Sequence, residues 1–292
     1  MKIFKNESAK DQVMKSYHRL LEMWETPYQE HIVDTAYGTT HCIVSGNERN
    51  PPLLLFHGVG DNSAVMWALN IKELSRHFYC MAIDTIGGPG KSVPNERYAR
   101  RSFSLAGWID RILDHFAVNN ANIAGVSNGA YMAYRYASVR PEQVRRAVCM
   151  EGGMVINPLQ AMFRTLLMMF PEILVPTDRN LLRILKKLSS PGTDLFEKHP
   201  LLAEHLILLM RNHNRQAMFV HKLEKYDSRT GAAIKDKLCF LIAEHHIKHK
   251  KDLMNVLNEG GFHYKVVQGA GHGINHEQPD VVNREIVRFL LE

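Results

Sequence analysis

Cysteine is scarce in this chain: its 292 residues hold four, Cys42, Cys80, Cys149 and Cys239, widely spaced and without a Cys-x-x-Cys pair. Four such thiols make no disulfide framework in a chain of this length and are expected as buried free thiols in a reducing compartment. Long apolar runs are absent too. None approaches the ~18 residues that a transmembrane helix needs, and the opening stretch MKIFKNESAKDQ is charged from the start, without the apolar core of a secretory signal. A cytoplasmic protein with no membrane span is expected. Neither sign of charge dominates, because 36 Lys and Arg against 30 Asp and Glu leave a net +6. The densest basic stretches, 179–187 and 235–251, are broken up by apolar or acidic residues. They are expected as solvated helix faces, and no nucleic-acid partner is expected. Internal repeats and low-complexity linkers are missing, which argues against two modules in tandem. What is present, 45% apolar and 23% charged residues, is the composition of a folded globular chain.

Short β-rich runs alternate with helix-length segments. Residues 8–25 have the spacing of an amphipathic helix, and strand candidates follow at 31–36 and 40–45, parted by the turn Tyr37-Gly38. LLLFHG (53–58) and FYCMAID (78–84), with a helix at 63–76 between them, are continuous apolar runs of the kind buried in parallel sheets. Helix 102–117, strand 121–126, helix 129–138 and strand 144–150 continue the rhythm. It resumes with strand 238–243, a helix near 248–259, strand 262–270 and a closing helix 279–291. This is the signature of βαβ units in a doubly wound α/β sheet. Residues 154–231 break the pattern, with no convincing strand and with Leu, Met, Phe and Arg at helical spacing. They are expected as a helical cap inserted into a core made of 1–153 and 232–292.

The stretch that carries chemistry is Gly125-Val126-Ser127-Asn128-Gly129, between a strand and a helix. A nucleophile on a sharp strand-to-helix turn needs small residues two positions away on either side, so that strand and helix can approach; Gly125 and Gly129 meet that demand. A serine hydroxyl also needs a base within hydrogen-bond reach. Of 16 histidines, His272 stands apart because it lies in Gly-Ala-Gly-His-Gly directly after the last strand, where glycines let the loop turn back over the strand ends. Active sites of open parallel sheets gather at those carboxyl ends. An oxyanion hole needs two backbone N–H groups. Asn128 is one candidate, and Val59, in the His57-Gly58-Val59-Gly60 loop, is the other. His57 is expected to orient that loop.

With FHGVG at 56–60, IDTIGGPGKS at 83–92, GVSNG at 125–129 and GAGHGINHEQPDVVNREIVRFL at 269–290, the chain resembles the α/β-hydrolase superfamily from about residue 31 onward. The last stretch is similar to the ends of bacterial carboxylesterases. The resemblance implies a mostly parallel eight-stranded sheet flanked by helices, a helical cap after the sixth strand, and acyl-enzyme chemistry with no cofactor and no metal. The sequence departs from the family in one place. Most members carry the triad acid after the seventh strand, often as Gly-Glu-x-Asp, and here Ala243-Glu244-His245-His246 puts histidine at that position. Haloalkane dehalogenases place the acid after the sixth strand instead, and Cys149-Met150-Glu151 resembles their pattern. Glu151 is therefore the expected acid, with Glu244 as the alternative and the lack of any working acid as the third reading. The dehalogenase likeness stops there, because those enzymes use an aspartate nucleophile.

The expected function is hydrolysis of a small-molecule carboxylic ester by Ser127, His272 and Glu151. Met162, Phe163, Leu166, Met169 and Phe170 are candidates for an apolar acyl pocket, with ordinary packing of the cap as the other explanation. C–C bond hydrolysis, lactone opening and cofactor-free perhydrolysis use the same side chains, and a ligand sensor with little turnover would keep the same pocket. A homodimer is left open.

Overall fold

The apolar runs become the middle of one sheet. A computed structural model describes residues 1–158, 163, 167 and 169–292, the side chains of 246, 248 and 249 excepted. The strands are β1 (Tyr28–Thr35), β2 (Gly38–Ser45), β3 (Pro52–Phe56), β4 (Tyr79–Ile83), β5 (Val93–Pro94), β6 (Ala121–Val126), β7 (Val144–Met150), β8 (Leu238–Ala243) and β9 (His263–Val267). They lie in the order β1-β2-β4-β3-β6-β7-β8-β9, with β5 beside β2. β2 pairs antiparallel with β1, β4 and β5, and every pairing from β4 across to β9 is parallel. All eight expected strands form. The ninth, β5, has two residues, too few to carry a period, and its Pro94 confines it to an edge. With β5 counted, the expected sixth strand is β7.

The helices whose residues are all described are α1 (Glu7–Glu22), α2 (Ser63–Met66), α3 (Ile71–His77), α4 (Leu105–His115), α5 (Asn128–Val139), α6 (Asp178–Leu188), α7 (Leu195–Lys198), α8 (Pro200–Asn212), α9 (Ser228–Ile234), α10 (Lys251–Glu259), α11 (Ile274–Glu277) and α12 (Pro279–Leu291). Alternation along the central strands divides the core in two. Leu53 and Leu55 of β3 point into a cluster with Val13, Tyr17, Ile71, Leu74 and Ile286, on α1, α3 and α12. Leu54 and Phe56 point the other way, toward Trp108, Ile112, Met132 and Leu257 on α4, α5 and α10. Side chains cap several helix starts: Asn6 accepts from the Ala9 amide, Ser104 from Gly107 and Thr177 from Asn180. The expected helix 63–76 is two helices. The chain leaves helical geometry at Trp67 (φ −107°, ψ 7°), and Asn70 turns its side chain to Asn275 and Asn283.

Among the described residues, 154–231 contain helices and short 3₁₀ turns and no strand. They touch the loops that follow three strands, through His213 at Gly60, Ala217 at Gly87 and Ser189 at Gly271, all at the carboxyl edge. They also pack on α1: the Ser16 hydroxyl bonds His205 Nδ1 at 2.9 Å, and Arg19 pairs with Glu204. The four cysteines are buried and unpaired. No helix among the described residues is long and apolar enough to cross a membrane.

Asp84, directly after β4, ties these layers together. Its buried carboxylate accepts hydrogen bonds from the Tyr17 hydroxyl (2.9 Å), His41 Nδ1 (3.0 Å) and the amides of Ser63 and Lys91 (2.9 Å each). Gly90 has no room for a Cβ, which would stand 2.3 Å from this carboxyl carbon. The IDTIGGPGKS run therefore builds a junction between α1, β2 and the site loops. Burial alone would raise the Asp84 carboxyl, but the hydrogen bond and charge of His41 hold it well below the usual carboxylate range. Burial would likewise depress His41, and Asp84 and Glu30 raise it.

Asp84→Asn is expected to cost about 3–5 kcal/mol, because it takes from the buried His41 imidazole one of its two carboxylate partners and leaves only Glu30. The depressed Asp84 contributes stability that is lost as pH falls below ~4, and the raised His41 contributes stability that is lost as pH rises beyond ~6.5. The gap between wild type and variant in urea denaturation should be widest between those values and shrink on both sides.

Candidate active site

Ser127 has φ 56° and ψ −112°, a left-handed conformation that a side chain seldom adopts. It is forced by how closely β6 and α5 meet. A Cβ on Gly125 would stand 2.2 Å from the Gly129 carbonyl oxygen, and one on Gly129 would stand 2.2 Å from the Phe56 oxygen. The Ser127 amide donates to the Met150 oxygen at 2.8 Å, binding the turn to β7. Among the described residues the Ser127 hydroxyl makes no hydrogen bond, to His272 or to any other group.

Glu151, the residue after Met150, is also left-handed, with φ 58°. Two adjacent strands of the sheet thus end in strained non-glycine residues, a concentration typical of functional sites. The side chain of Glu151 is fully buried. Its Oε2 lies 3.2 Å from His272 Nδ1, and Oε1 accepts the Ala243 amide at 2.8 Å. Lys250 Nζ stands 2.6 Å from the same Oε1 as an ion pair. Glu244 is engaged elsewhere, since its Oε2 accepts the Gly269 amide at 3.0 Å and so braces the histidine loop from the β8 side. The His272 imidazole is about one-third exposed, at 35%.

His57 is buried, with Nε2 accepting the Thr85 amide (2.9 Å) and Nδ1 donating to the Gly58 oxygen (2.8 Å). It therefore holds the loop after β3, and burial keeps it below the usual histidine value. Among the described residues the amides of Val59 and Asn128 have no acceptor, as oxyanion donors require. A Cβ placed on Gly58 would lie 3.6 Å from the Ser127 Cβ and 2.8 Å from Asp61 Oδ2, so glycine keeps this approach open and a carboxyl stands beside it. Burial pushes Asp61 up to about 7, against the pull of Arg215. Sequence reasoning passed over Asp61, although it ends the same HGVGD run, and Lys250, which is one lysine of several in KHKKD.

The pocket candidates fare unevenly. Phe163 and Phe170 are 61% and 55% exposed, which the enclosed wall of an acyl pocket would not be. Met169 is half-buried, with its sulfur 4.0 Å from an Arg215 nitrogen. Met162 and Leu166 lie outside the described residues. A cavity of about 560 Å³ between the N-terminal stretch and the insertion is lined by Phe4, Met210, Arg215 and Phe219 among others, and not by Ser127 or His272. Among the described residues no three His, Cys, Asp or Glu side chains converge as metal ligands.

The sequence profile of the alpha/beta hydrolase fold matches residues 51–186. Carboxylesterase YbfK of Bacillus subtilis (strain 168) is 27% identical over 289 residues, covering 94% of this chain and 92% of that protein. Its crystal structure aligns with a TM-score of 0.78 at 24% identity, over 97% and 98% of the two chains. Naproxen esterase from Bacillus subtilis aligns with a TM-score of 0.79 at 21% identity, over 96% and 97%. Likenesses at such identities speak for the fold. Together with the parallel sheet and the glycine-flanked serine turn, they make this chain an α/β-hydrolase-fold protein with carboxylesterase-like sequence.

Proposed function

We propose that this protein is a serine hydrolase that cleaves small carboxylic esters through an acyl-enzyme, with residues 154–231 as a cap over a core formed by 1–153 and 232–292. Ester hydrolysis is supported by relatives along nearly the whole chain that are themselves named carboxylesterases. The triad rests on one observation above all, the 3.2 Å contact between Glu151 Oε2 and His272 Nδ1, beside the strand that ends in Ser127. That contact supplies the acid that the seventh-strand position lacks, and it favours turnover over mere ligand sensing.

In this reading Ser127 Oγ attacks the ester carbonyl carbon while His272 Nε2 takes the hydroxyl proton. Negative charge develops on the carbonyl oxygen, and the Val59 and Asn128 amides receive it. The intermediate collapses, His272 returns the proton to the departing alcohol, and the acyl group stays on Ser127. A water molecule then repeats the sequence, giving the carboxylic acid and free serine. Glu151 keeps the imidazole in the tautomer that accepts at Nε2 and stabilises its cation. Hydrogen bonds of this kind often tighten only around bound substrate, so the unbonded Ser127 hydroxyl is compatible with the role. Asp61 adds a constraint. As a neutral acid it is harmless beside the oxyanion; ionised, it opposes the charge that the amides collect.

Labelling by an organophosphonate is expected in the wild type and absent in Ser127→Ala, whose kcat should fall by about 10⁴-fold or more. An unlabelled wild type would remove the nucleophile. Glu151→Gln should lose about 10⁴-fold in kcat and Glu244→Gln only a few-fold; the reverse order would transfer the acid to Glu244. Activity should fall by about tenfold between pH 7 and 9 as Asp61 ionises near the oxyanion, a loss that Asp61→Asn abolishes. The rate of the Ser127→Ala protein gives the alkaline background to subtract.

A further inference from the structure

The INHE run after the histidine loop has no part in the mechanism above, yet its three polar residues are all engaged. Asn275 Nδ2 donates to the Met66 oxygen at 2.6 Å, and His276 Nε2 lies 2.9 Å from the Val65 oxygen. Both are buried, so α11 is bolted to the core at α2. Glu277 faces the opposite way, toward the insertion. Its Oε2 accepts from both the amide (2.7 Å) and the hydroxyl (2.6 Å) of Ser190, just past the end of α6. Its Oε1 accepts the amide of Gly271 at 3.0 Å. A single carboxylate thus joins the residue before His272 to the turn that leaves α6.

The backbones agree with that joint. The His272 amide donates to the Leu188 oxygen at 2.7 Å, satisfying one of the carbonyls that a helix leaves open at its end. Gly271 has no space for a side chain, since a Cβ would stand 2.4 Å from the Ser189 carbonyl carbon and 2.5 Å from the Ser190 nitrogen. From the β8 side Glu244 and the His245 amide hold Gly269 and Ala270. The histidine loop is therefore supported by the core at its start and by the insertion at its end.

We propose that Glu277 is a positioning residue for His272: by tying Gly271 to Ser190 it makes the end of α6 and the catalytic imidazole move as one body. The proposal rests on the reading of His272 as the base and of residues 154–231 as a cap. It follows that the cap is anchored at 188–190 and that substrate enters elsewhere along its rim, because lifting this corner would carry the imidazole away from Ser127. A displacement near 1 Å is enough to cost about 100-fold in rate.

The test compares Glu277→Gln, Ser190→Ala and the double variant with wild type on an aryl ester. Glu277→Gln keeps the size of the side chain but replaces one acceptor oxygen with an NH₂ that faces another donor. Its kcat is expected to fall about 10- to 100-fold with KM within about threefold, and labelling of Ser127 by organophosphonate should slow by the same factor. Ser190→Ala, a mild change that should fold normally, is expected to lose several-fold in kcat, and the double variant should be no slower than Glu277→Gln alone. Unchanged kcat in both single variants, a loss carried by KM, or additive losses would overturn the clamp. Hydrogen exchange reads the joint without catalysis: segments 186–192 and 268–274 should loosen together in Glu277→Gln, and loosening of one alone would also overturn it. Full activity in Ser127→Ala would sink the triad reading instead, and exchange would still decide the joint.

Discussion

At the end of β6 two backbones meet with no space for a methyl group between them. The contact of Gly125 with Gly129, and of Gly129 with the Phe56 oxygen, leaves Ser127 no conformation but a left-handed one. Much of the site geometry follows from that crowding. It presents the serine at the start of α5, frees the Asn128 amide, and brings the loop after β3 within reach through Gly58. The strain of a left-handed serine, of order 1–3 kcal/mol, is sustained because the flanking strands and helix are packed into two continuous cores.

Around this turn the protein handles three acids in different ways. Asp84 is met by four donors, the His41 imidazole among them, stays ionised, and serves as a structural junction. Asp61 has little to meet it beyond the charge of Arg215, so burial drives it toward the neutral acid. Glu151 stands between them: His272 and Lys250 share its two oxygens, and the Ala243 amide also donates to it. The same chemical group is thus a scaffold, an acid of raised pKa or a partner for an imidazole, according to the donors its surroundings supply. Lys250 also bears on the imidazole, since a cation on one oxygen of the carboxylate draws charge from the other.

The parallel strands were legible in the sequence because burial on both faces writes unbroken apolar runs, such as LLLF in β3 and LCFLIA in β8. The serine turn was legible because its glycines stand at fixed offsets. β5 was not, since two residues have no period, and neither was the break at Trp67 to Asn70, which long-range hydrogen bonds to Asn275 and Asn283 impose. The pocket candidates illustrate the limit of composition. Phe163 and Phe170 have the apolar character of a lining and still lie largely exposed, because helical spacing does not say which face a neighbour covers.

The sequence by itself determined the order of strands and helices, the sharp turn at Ser127 and the glycine loop around His272, because each depends on residues a few positions apart. Only the tertiary structure decided that Glu151 and not Glu244 meets the imidazole, that Lys250 and Asp61 stand nearby, and that Glu277 reaches Ser190. Those pairs are separated by dozens of residues along the chain. Their meeting depends on strand order and on the directions of individual side chains, which no local pattern records.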